Sequence, residues 1–323
     1  MLNNNNIDQI VLLGSSGYLS LSFIKYFYFN FENNRKKINL VLFSSNYKKI
    51  LNFFKLNNID YTLLDIGFYD YSEFEKILKN LKNYVIFNFS GYNIFKALFS
   101  FYSYNYKNKL IWSSRIDFTK KIINSIIKVG NYPLFFLLPS AVWIYSESKI
   151  SDYFYQWENT LNLLKDNSYK IIFRLGVVLD QHSSWLKILD NFFFKFNLKP
   201  IFNQSLSFPF IYIEDVFKTI FDLITFKYEL IIKKLNIFDL FIYCKFNEFI
   251  DSFIAKNYSY KKFKELHIKD YLMEIFFKDY YKAMFLDYKN NYKNNKEEFK
   301  LESFGDIIPG IERFLDISPI DIG

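Results

Sequence analysis

Short apolar runs alternate with longer amphipathic stretches along the first two thirds of the chain. The apolar runs have the length of buried strands, and the amphipathic stretches between them have the length of helices. Such alternation is typical of repeated βα units and a parallel sheet. The predicted strands are residues 9–14, 38–43, 61–66, 84–91, 133–140 and 169–176, and the predicted helices are residues 17–30, 47–57, 71–82, 105–129 and 152–165.

The regularity fades after about residue 200, where shorter apolar patches precede a Lys/Asn-rich stretch at residues 288–300 that we expect to be an exposed loop. The pattern therefore predicts an α/β fold, a Rossmann-type doubly wound parallel sheet with a small C-terminal α/β lobe. We place the nucleotide-binding Rossmann domain at residues 1–200. The smaller substrate-side lobe is placed at residues 201–323, with some of its segments returning to the sheet.

Composition narrows the function classes. The net charge of the 323 residues is +8, but the lysines are spread along the chain and accompany an excess of Asn, Ile, Phe and Tyr, which favours compositional drift over a nucleic-acid surface. No apolar run approaches the roughly 18 residues that span a membrane. The first residues lack the features of a secretory signal, so we expect a cytoplasmic protein. Cys244, His182 and His267 cannot furnish a typical zinc site, and no metal is expected.

The first predicted strand ends in GSSGYLS, residues 14–20, which leads into the first predicted helix. In a doubly wound sheet this turn lets backbone N–H groups and the helix N-terminus bind the pyrophosphate of a dinucleotide. Ser20 stands at the third glycine position of G-x-x-G-x-x-G and is small enough for helix–strand packing. The motif alone also fits a plain turn, but its position predicts a dinucleotide site formed by Gly14, Ser15, Ser16, Gly17, Tyr18 and Leu19.

The end of the second predicted strand bears on the type of dinucleotide. Residues 44–46 (SSN) carry no negative charge, and Lys48 and Lys49 follow. NAD sites usually place a carboxylate here for the ribose hydroxyls, whereas NADP sites offer cations to the 2′-phosphate. The segment favours NADP, with NAD as the alternative, and makes Ser45 a candidate contact, although the lysines also fit an ordinary surface. Asp65 follows the third predicted strand, where it could bind the adenine amino group or cap a turn.

Six further segments resemble motifs that occur in the same order in a known protein family. They are FNFSGYNI (87–94) for N-x-A-G-x-N-I, SSRIDFT (113–119) for S-R-x-x-x-T, PSAVWIY (139–145) for S-A-x-x-x-Y, QWENTL (156–161) for a W-E pair, RLGVVLD (174–180) for R-x-G-x-V-L-G and FPFIYIEDV (208–216) for W-I-H-I-D-D-L. With the glycine turn, they resemble the extended short-chain dehydrogenase/reductases, within them the subgroup of epimerase family proteins related to nucleotide-sugar epimerases. Residues 303–315 resemble the C-terminal box of this subgroup more faintly.

The resemblance implies an NAD(P)-dependent reductase or epimerase that acts on a small polar substrate such as a sugar. It adds Asn88, Ser90, Gly91 and Arg174 to the candidate cofactor-binding residues. At Gly91 a Cβ would intrude on the cofactor. Arg115 belongs to the matching segments as well, and we expect it to be structural more often than catalytic. The protein is expected to be a monomer or a homodimer.

The catalytic residues are less clear. In this superfamily a Tyr phenol transfers the proton, a Lys four residues later lowers its pKa from about 10, and a Ser hydroxyl holds the substrate oxygen. Ser140 fits the serine, and Tyr145 and Lys149 have the right spacing. In extended members, however, the pair lies on the following helix, where alignment through the W-E pair places Ile150 and Phe154.

Tyr153 is another tyrosine on that predicted helix, but Trp157 occupies the position of its lysine. The subgroup itself commonly lacks the Tyr–Lys pair. The sequence therefore leaves two functions open, an enzyme and a dinucleotide-binding sensor or regulatory protein whose chemistry has decayed.

Overall fold

The structure of the chain, a computed structural model, describes most of the sequence. The described residues are 7–31, 38–60, 66–98, 102–164, 168–180, 184–202, 206–224, 235–258, 260–271, 278–285 and 302–303. Residues 61–65, most of the predicted third strand, lie outside these ranges. So do residues 288–300 and nearly all of the C-terminal box at 303–315.

The main sheet contains eight parallel strands in the described part of the chain, in the order β3-β2-β1-β4-β5-β6-β10-β13. Its strands are β1 (Gln9–Leu13), β2 (Asn39–Phe43), β3 (Ile66–Tyr69), β4 (Tyr84–Asn88), β5 (Phe135–Ala141), β6 (Tyr169–Leu175), β10 (Leu235–Leu240) and β13 (Glu302–Ser303). This order confirms the predicted Rossmann-type doubly wound sheet.

The described helices connect and cover these strands. They are α1 (Tyr18–Phe31), α2 (Tyr47–Leu56), α3 (Phe74–Leu78), α4 (Ile94–Leu98), α5 (Tyr104–Trp112), α6 (Phe118–Val129), α7 (Lys149–Asn159), α8 (Ser184–Phe192), α9 (Ile213–Ile224), α10 (Phe246–Asn257) and α11 (Asp279–Phe285). Within the described residues, no helix is both long enough and apolar enough to cross a membrane.

Burial on both faces explains why the strands are recognisable as continuous apolar runs. Every residue of β4 and β6 is buried. Along β1, Ile10 and Leu12 pack into one core cluster, whereas Val11 and Leu13 pack into the other, on the opposite face of the sheet. Helices on both faces remove the hydrophobic–polar alternation that a half-exposed strand would show.

Two small sheets lie beside the main one. One has the order β11-β9-β7, with β7 at Val177–Leu179, β9 at Ser207–Tyr212 and β11 at Ile242–Lys245. The other pairs β8 (Leu198–Ile201) with β12 (Lys264–His267). Since β7 precedes residue 200 and β10 follows it, the main sheet and the small sheets draw on residues from both sides of that position.

Two predicted helices differ from the structure, and the third strand can be compared only at its end. The structure describes β3 at Ile66–Tyr69, and residues 61–65 of the predicted strand lie outside the described residues. The long helix predicted at 105–129 is interrupted by a π-helical turn at Ser113–Asp117, between α5 and α6. The helix predicted at 152–165 begins at Lys149, and its last turn, Thr160–Leu163, is a 3₁₀ helix.

The strand order reverses direction between β1 and β4. From β1 the chain builds outward through β2 and β3, then returns to the other side of β1 with β4. Because all these strands are parallel, their carboxyl ends meet at one edge, and the chain continues from β1 and from β4 toward opposite ends of the strand order. Ligands of doubly wound sheets bind in the crevice at this switch point.

Candidate functional site

The turn between β1 and α1 contains two glycines whose surroundings leave no space for a side chain. Gly14 has a φ of +73°, and a Cβ there would lie 2.7 Å from Ser90 Cα. A Cβ on Gly17 would lie 3.0 Å from the carbonyl oxygen of Gly14, which accepts a hydrogen bond from Gly17 N–H at 2.8 Å. Gly14 also needs the left-handed backbone conformation that glycine adopts readily.

The predicted binding residues of this turn divide into buried and accessible ones. Ser15 is buried, and its N–H donates to the carbonyl of Phe43 on β2 at 3.1 Å. Ser16, Tyr18 and Leu19 are partly exposed. Because α1 begins at Tyr18, the N–H groups of its first turn have no carbonyl acceptor within the helix. The N-terminus of α1 therefore offers backbone donors to an anion in the crevice.

Ser20 fixes the first turn of α1. Ser20, at the position of the third motif glycine, is buried and donates its hydroxyl to the carbonyl of Gly14 at 3.0 Å. The phenol of Tyr18 lies beside the carboxylate of Asp180, and burial raises the pKa of this phenol. Ser20 therefore ties the glycine turn to its own helix.

Tyr71, which follows β3, contacts the glycine turn although no sequence motif indicates this role. Its phenol accepts a hydrogen bond from Gly14 N–H at 2.7 Å and donates one to the carbonyl of Phe43 at 3.1 Å. Its ring stacks on Phe43, with 5.9 Å between the centroids. Burial raises the pKa of Tyr71 to about 12, so the phenol keeps its proton at neutral pH. Tyr71 thus bridges the ends of β1 and β2.

The residues after β2 form an exposed segment without a carboxylate. Ser45 is exposed, and Asn46 caps α2 by accepting a hydrogen bond from Lys49 N–H at 3.2 Å. The ammonium group of Lys49 donates to the carbonyl of Ser16 at 2.7 Å, which places a cation directly over the glycine turn. Lys48 is exposed beside it, and Asp65, the other predicted contact of the adenosine, lies outside the described residues.

The loop after β4 is held by a chain of buried hydrogen bonds. Asn88 is fully buried, its amide donates to Thr119 Oγ1 at 2.9 Å, and its carbonyl oxygen accepts from both the N–H and the hydroxyl of Ser90. Trp157 Nε1 donates to the same Thr119 oxygen at 3.0 Å. Asn88 therefore shapes the loop from inside, and Ser90 is the member of the pair that contacts Gly14.

The next residues of this loop pack against the π-helical turn. Gly91 is exposed, and a Cβ on it would lie 2.9 Å from Cζ of Arg115. Arg115 Nη1 donates to the carbonyl of Tyr92 at 2.9 Å, and Ser114 Oγ accepts from the N–H of Tyr92 at 2.8 Å. The group that excludes a side chain at Gly91 is thus the guanidinium of Arg115.

Arg174, predicted as a cofactor ligand, is instead part of a buried network. It is 1% exposed, and it donates from Nε and Nη2 to the two carboxylate oxygens of Glu158 at 3.0 and 2.6 Å. Its Nη1 donates to the phenol of Tyr145 at 2.7 Å, and this phenol donates to Asp239 Oδ1 at 2.8 Å. This network joins β6 to α7 and β10, which favours a structural role for Arg174.

Tyr145 and Lys149 do not form a helical pair. Tyr145 ends a 3₁₀ helix at Val142–Tyr145, whereas Lys149 begins α7. The backbone is extended at Ser146 and Ser148, so a four-residue spacing does not bring the two side chains onto one helix face. Tyr145 is buried, which raises the pKa of its phenol, and Lys149 is exposed. The geometry that lowers the pKa of a catalytic tyrosine is absent here.

Ser140 and Tyr153 complete the predicted catalytic candidates. Ser140 lies near the carboxyl end of β5, is 5% exposed, and its hydroxyl has no hydrogen-bond partner among the described residues. Tyr153 stacks on Trp112, with 4.9 Å between the ring centroids and 11° between the planes. Ser140 therefore stays the serine candidate, with a buried hydroxyl that no described residue binds.

The strand order and the glycine turn at the switch point define a Rossmann-type α/β fold. The human epimerase family protein SDR39U1 (isoform 2), solved with NADPH, has this fold, with a TM-score of 0.64 and 15% sequence identity over 85% of this chain and 88% of that protein. The comparison confirms, at the level of fold, the resemblance seen in the sequence motifs.

Two other solved structures illustrate the breadth of this fold group. The UDP-Glc/GlcNAc 4-epimerase of Campylobacter jejuni matches with a TM-score of 0.57 and 13% identity over 80% of this chain and 86% of that one. The dTDP-4-dehydrorhamnose reductase of Bacillus anthracis, in complex with NADP, matches with a TM-score of 0.55 and 11% identity over 82% and 85%. No family profile and no curated protein matches the sequence.

Proposed function

We propose that this chain binds a nicotinamide dinucleotide in the crevice between the carboxyl ends of β1 and β4. The observation that carries the proposal is the glycine turn, where backbone atoms of Gly14 and Ser90 approach so closely that a Cβ would lie 2.7 Å away. A pyrophosphate needs such a bare turn next to a helix N-terminus. Neighbouring structures that hold NADPH, NADP or NAD support the same class of ligand.

The preferred dinucleotide in this proposal is NADP. Ser45 and Asn46 leave the end of β2 without a carboxylate that would repel a 2′-phosphate. The ammonium group of Lys49, 2.7 Å from the carbonyl of Ser16, supplies a positive charge next to the turn. NAD sites rely on a carboxylate at this position, and none is present at residues 44–49.

The activity that we propose is that of a cytoplasmic reductase or epimerase acting on a small polar, sugar-like substrate. A bound nicotinamide supplies hydride chemistry in this class. In this proposal the buried hydroxyl of Ser140, near the carboxyl end of β5, holds a substrate oxygen. The phenol of Tyr145 keeps its proton at neutral pH because burial raises its pKa, and we assign it as the proton donor in this proposal.

A second candidate function is a dinucleotide-binding sensor without hydride transfer. The separation of Tyr145 and Lys149 onto two helices favours this alternative. In such a protein, occupancy of the crevice would control stability or binding to a protein partner. The glycine turn and the charge near it would serve both functions equally.

Calorimetric titration with NADPH and NADH tests the dinucleotide site, and NADPH should bind at least about tenfold more tightly. Absence of binding by both would refute the proposal. NADPH deuterated at C4 then separates the two functions, because transfer of the label to members of a carbonyl panel requires chemistry. For an enzyme, Ser140→Ala should retain NADPH affinity and lose transfer; binding without any transfer supports the sensor.

A further inference from the structure

Arg115 occupies an unusual position for a charged side chain. It lies in the π-helical turn Ser113–Asp117, and its guanidinium contacts the exposed Gly91 and lies 5.4 Å from the ring centroid of Trp157. Its Nη1 donates to two backbone carbonyls, those of Tyr92 at 2.9 Å and Ile111 at 3.1 Å. Both acceptors are neutral, so neither balances the positive charge.

No carboxylate within the described residues pairs with this guanidinium, and its Nε and Nη2 have no acceptor there. Burial lowers the pKa of Arg115 to about 10, which still leaves the group charged at neutral pH. A cation that is partly removed from water is costly unless an anion compensates it. Arg174, which is fully buried, has such compensation in the two oxygens of Glu158.

The location of Arg115 connects it to the proposed dinucleotide crevice. Ser90 contacts the glycine turn at Gly14, and the adjacent Gly91 contacts Arg115. A side chain at Gly91 would collide with the guanidinium, so the glycine lets the loop after β4 pack directly against the cation.

We propose that Arg115 binds an anionic group, a carboxylate or a phosphate, of the small molecule that shares the crevice with the dinucleotide. The planar fork of a guanidinium matches both groups in a bidentate manner. The inference rests on the proposed function for the presence of the dinucleotide, and it narrows the substrate to an anion-bearing polar molecule. The competing explanation is that Arg115 only donates to the backbone carbonyls of Tyr92 and Ile111 and binds no ligand.

The side-chain Nε–H signals of arginine distinguish these explanations. The chain has four arginines, and ¹⁵N-arginine labelling with Arg115→Lys as the assignment reference identifies the signal of interest. The folded full chain is titrated with acetate, with its neutral isostere acetamide and with inorganic phosphate. Each titration is done at constant ionic strength, with and without saturating NADPH. Acetate or phosphate should shift the Arg115 signal saturably, and acetamide should not. The anion that binds more tightly identifies the anionic group of the ligand as a carboxylate or a phosphate.

Variants complete the test. Calorimetry should show that Arg115→Met weakens anion binding about tenfold or more, because at least one charge-assisted hydrogen bond is lost. Arg115→Lys should weaken anion binding by a smaller factor. NADPH affinity should stay within about twofold, because charge at this position is assigned to the substrate. Lys120→Met removes an exposed charge from the neighbouring helix and should leave anion binding unchanged. If Arg115→Met fails to fold, Arg115→Lys and the labelled wild type decide.

Three outcomes overturn the inference. They are an Arg115 signal unmoved by both anions, equal anion affinity in wild type and Arg115→Met, and competition between NADPH and the anions, which would assign the cation to the dinucleotide. If NADPH binds while the Arg115 signal stays unmoved, only this inference fails. If the anions bind at Arg115 and NADPH does not bind at all, the proposed dinucleotide function fails instead, and the anion site stands.

Discussion

Substitution of alanine for Gly14 is the sharpest test of the crevice, because the chain supplies a matched control. Gly14 and Gly130 both have a φ of +73°. An added Cβ at Gly14 would lie 2.7 and 2.8 Å from backbone atoms of Ser90, whereas no atom lies within 4 Å of a Cβ at Gly130. The two alanine variants therefore share the backbone strain and differ in the collision.

The expected magnitudes follow from these contacts. A non-glycine residue in the left-handed conformation costs about 1–2 kcal/mol, which for a chain of this length lowers the melting temperature by roughly 2–4 °C. Gly130→Ala should show this effect alone. Gly14→Ala adds overpacking against backbone that cannot rotate away, another ~1–3 kcal/mol. The loop after β4 must shift to relieve the contact, and NADPH affinity should fall at least about tenfold.

Differential scanning calorimetry and NADPH titration of both variants provide the measurement. Gly130→Ala should bind NADPH as the wild type does. Equal NADPH affinity in Gly14→Ala and Gly130→Ala would refute the assignment of the turn to the dinucleotide. Equal melting temperatures would show that Ser90 does not constrain Gly14 in the folded protein.

Three further perturbations have defined outcomes. Lys49→Met should weaken NADPH binding about tenfold without changing NADH binding, whereas Lys48→Met should change neither, as measured by calorimetry. Glu158→Gln removes the charge that compensates a buried guanidinium and should cost about 3 kcal/mol in urea denaturation; Glu75→Gln, which breaks an exposed pair, should leave the midpoint within error. Burial raises the pKa of Tyr71 to about 12, and the unfolded phenol ionises near 10; unfolding then releases a proton, so stability should fall as pH rises from 10 to 12, and by less in Tyr71→Phe.

The parts of the fold that could be predicted are those that the local sequence determines. Strands buried on both faces are continuous apolar runs, and β1, β2, β4, β5 and β6 lie where these runs occur. The glycine turn could be predicted because the backbone conformation and the close approach exclude other residues. The π-helical turn at Ser113–Asp117 could not be predicted, since no proline or glycine marks it.

The roles of single polar residues depended on contacts that spacing does not reveal. Tyr71 is one of 27 tyrosines, and its bond to Gly14 spans 57 positions. Tyr145 and Lys149 have the spacing of a helical pair, but the extended backbone between them breaks the helix. Arg174 follows a strand end near the crevice in sequence, yet Glu158 holds it in the interior.

The hydrogen bonds among the motif residues show which property of the chain the family resemblance reflects. Asn88 and Trp157 both donate to Thr119, and Glu158, the next residue on α7, binds Arg174. Residues from four separate motifs thus form a buried scaffold that connects the loop after β4 to β6. These side chains form hydrogen bonds with one another and are not available to a substrate. Their presence therefore supports a correctly shaped crevice and gives no information about catalytic activity. Catalytic activity depends on the polar groups that the scaffold leaves accessible. Substitutions of residues that face the crevice will therefore distinguish an enzyme from a sensor.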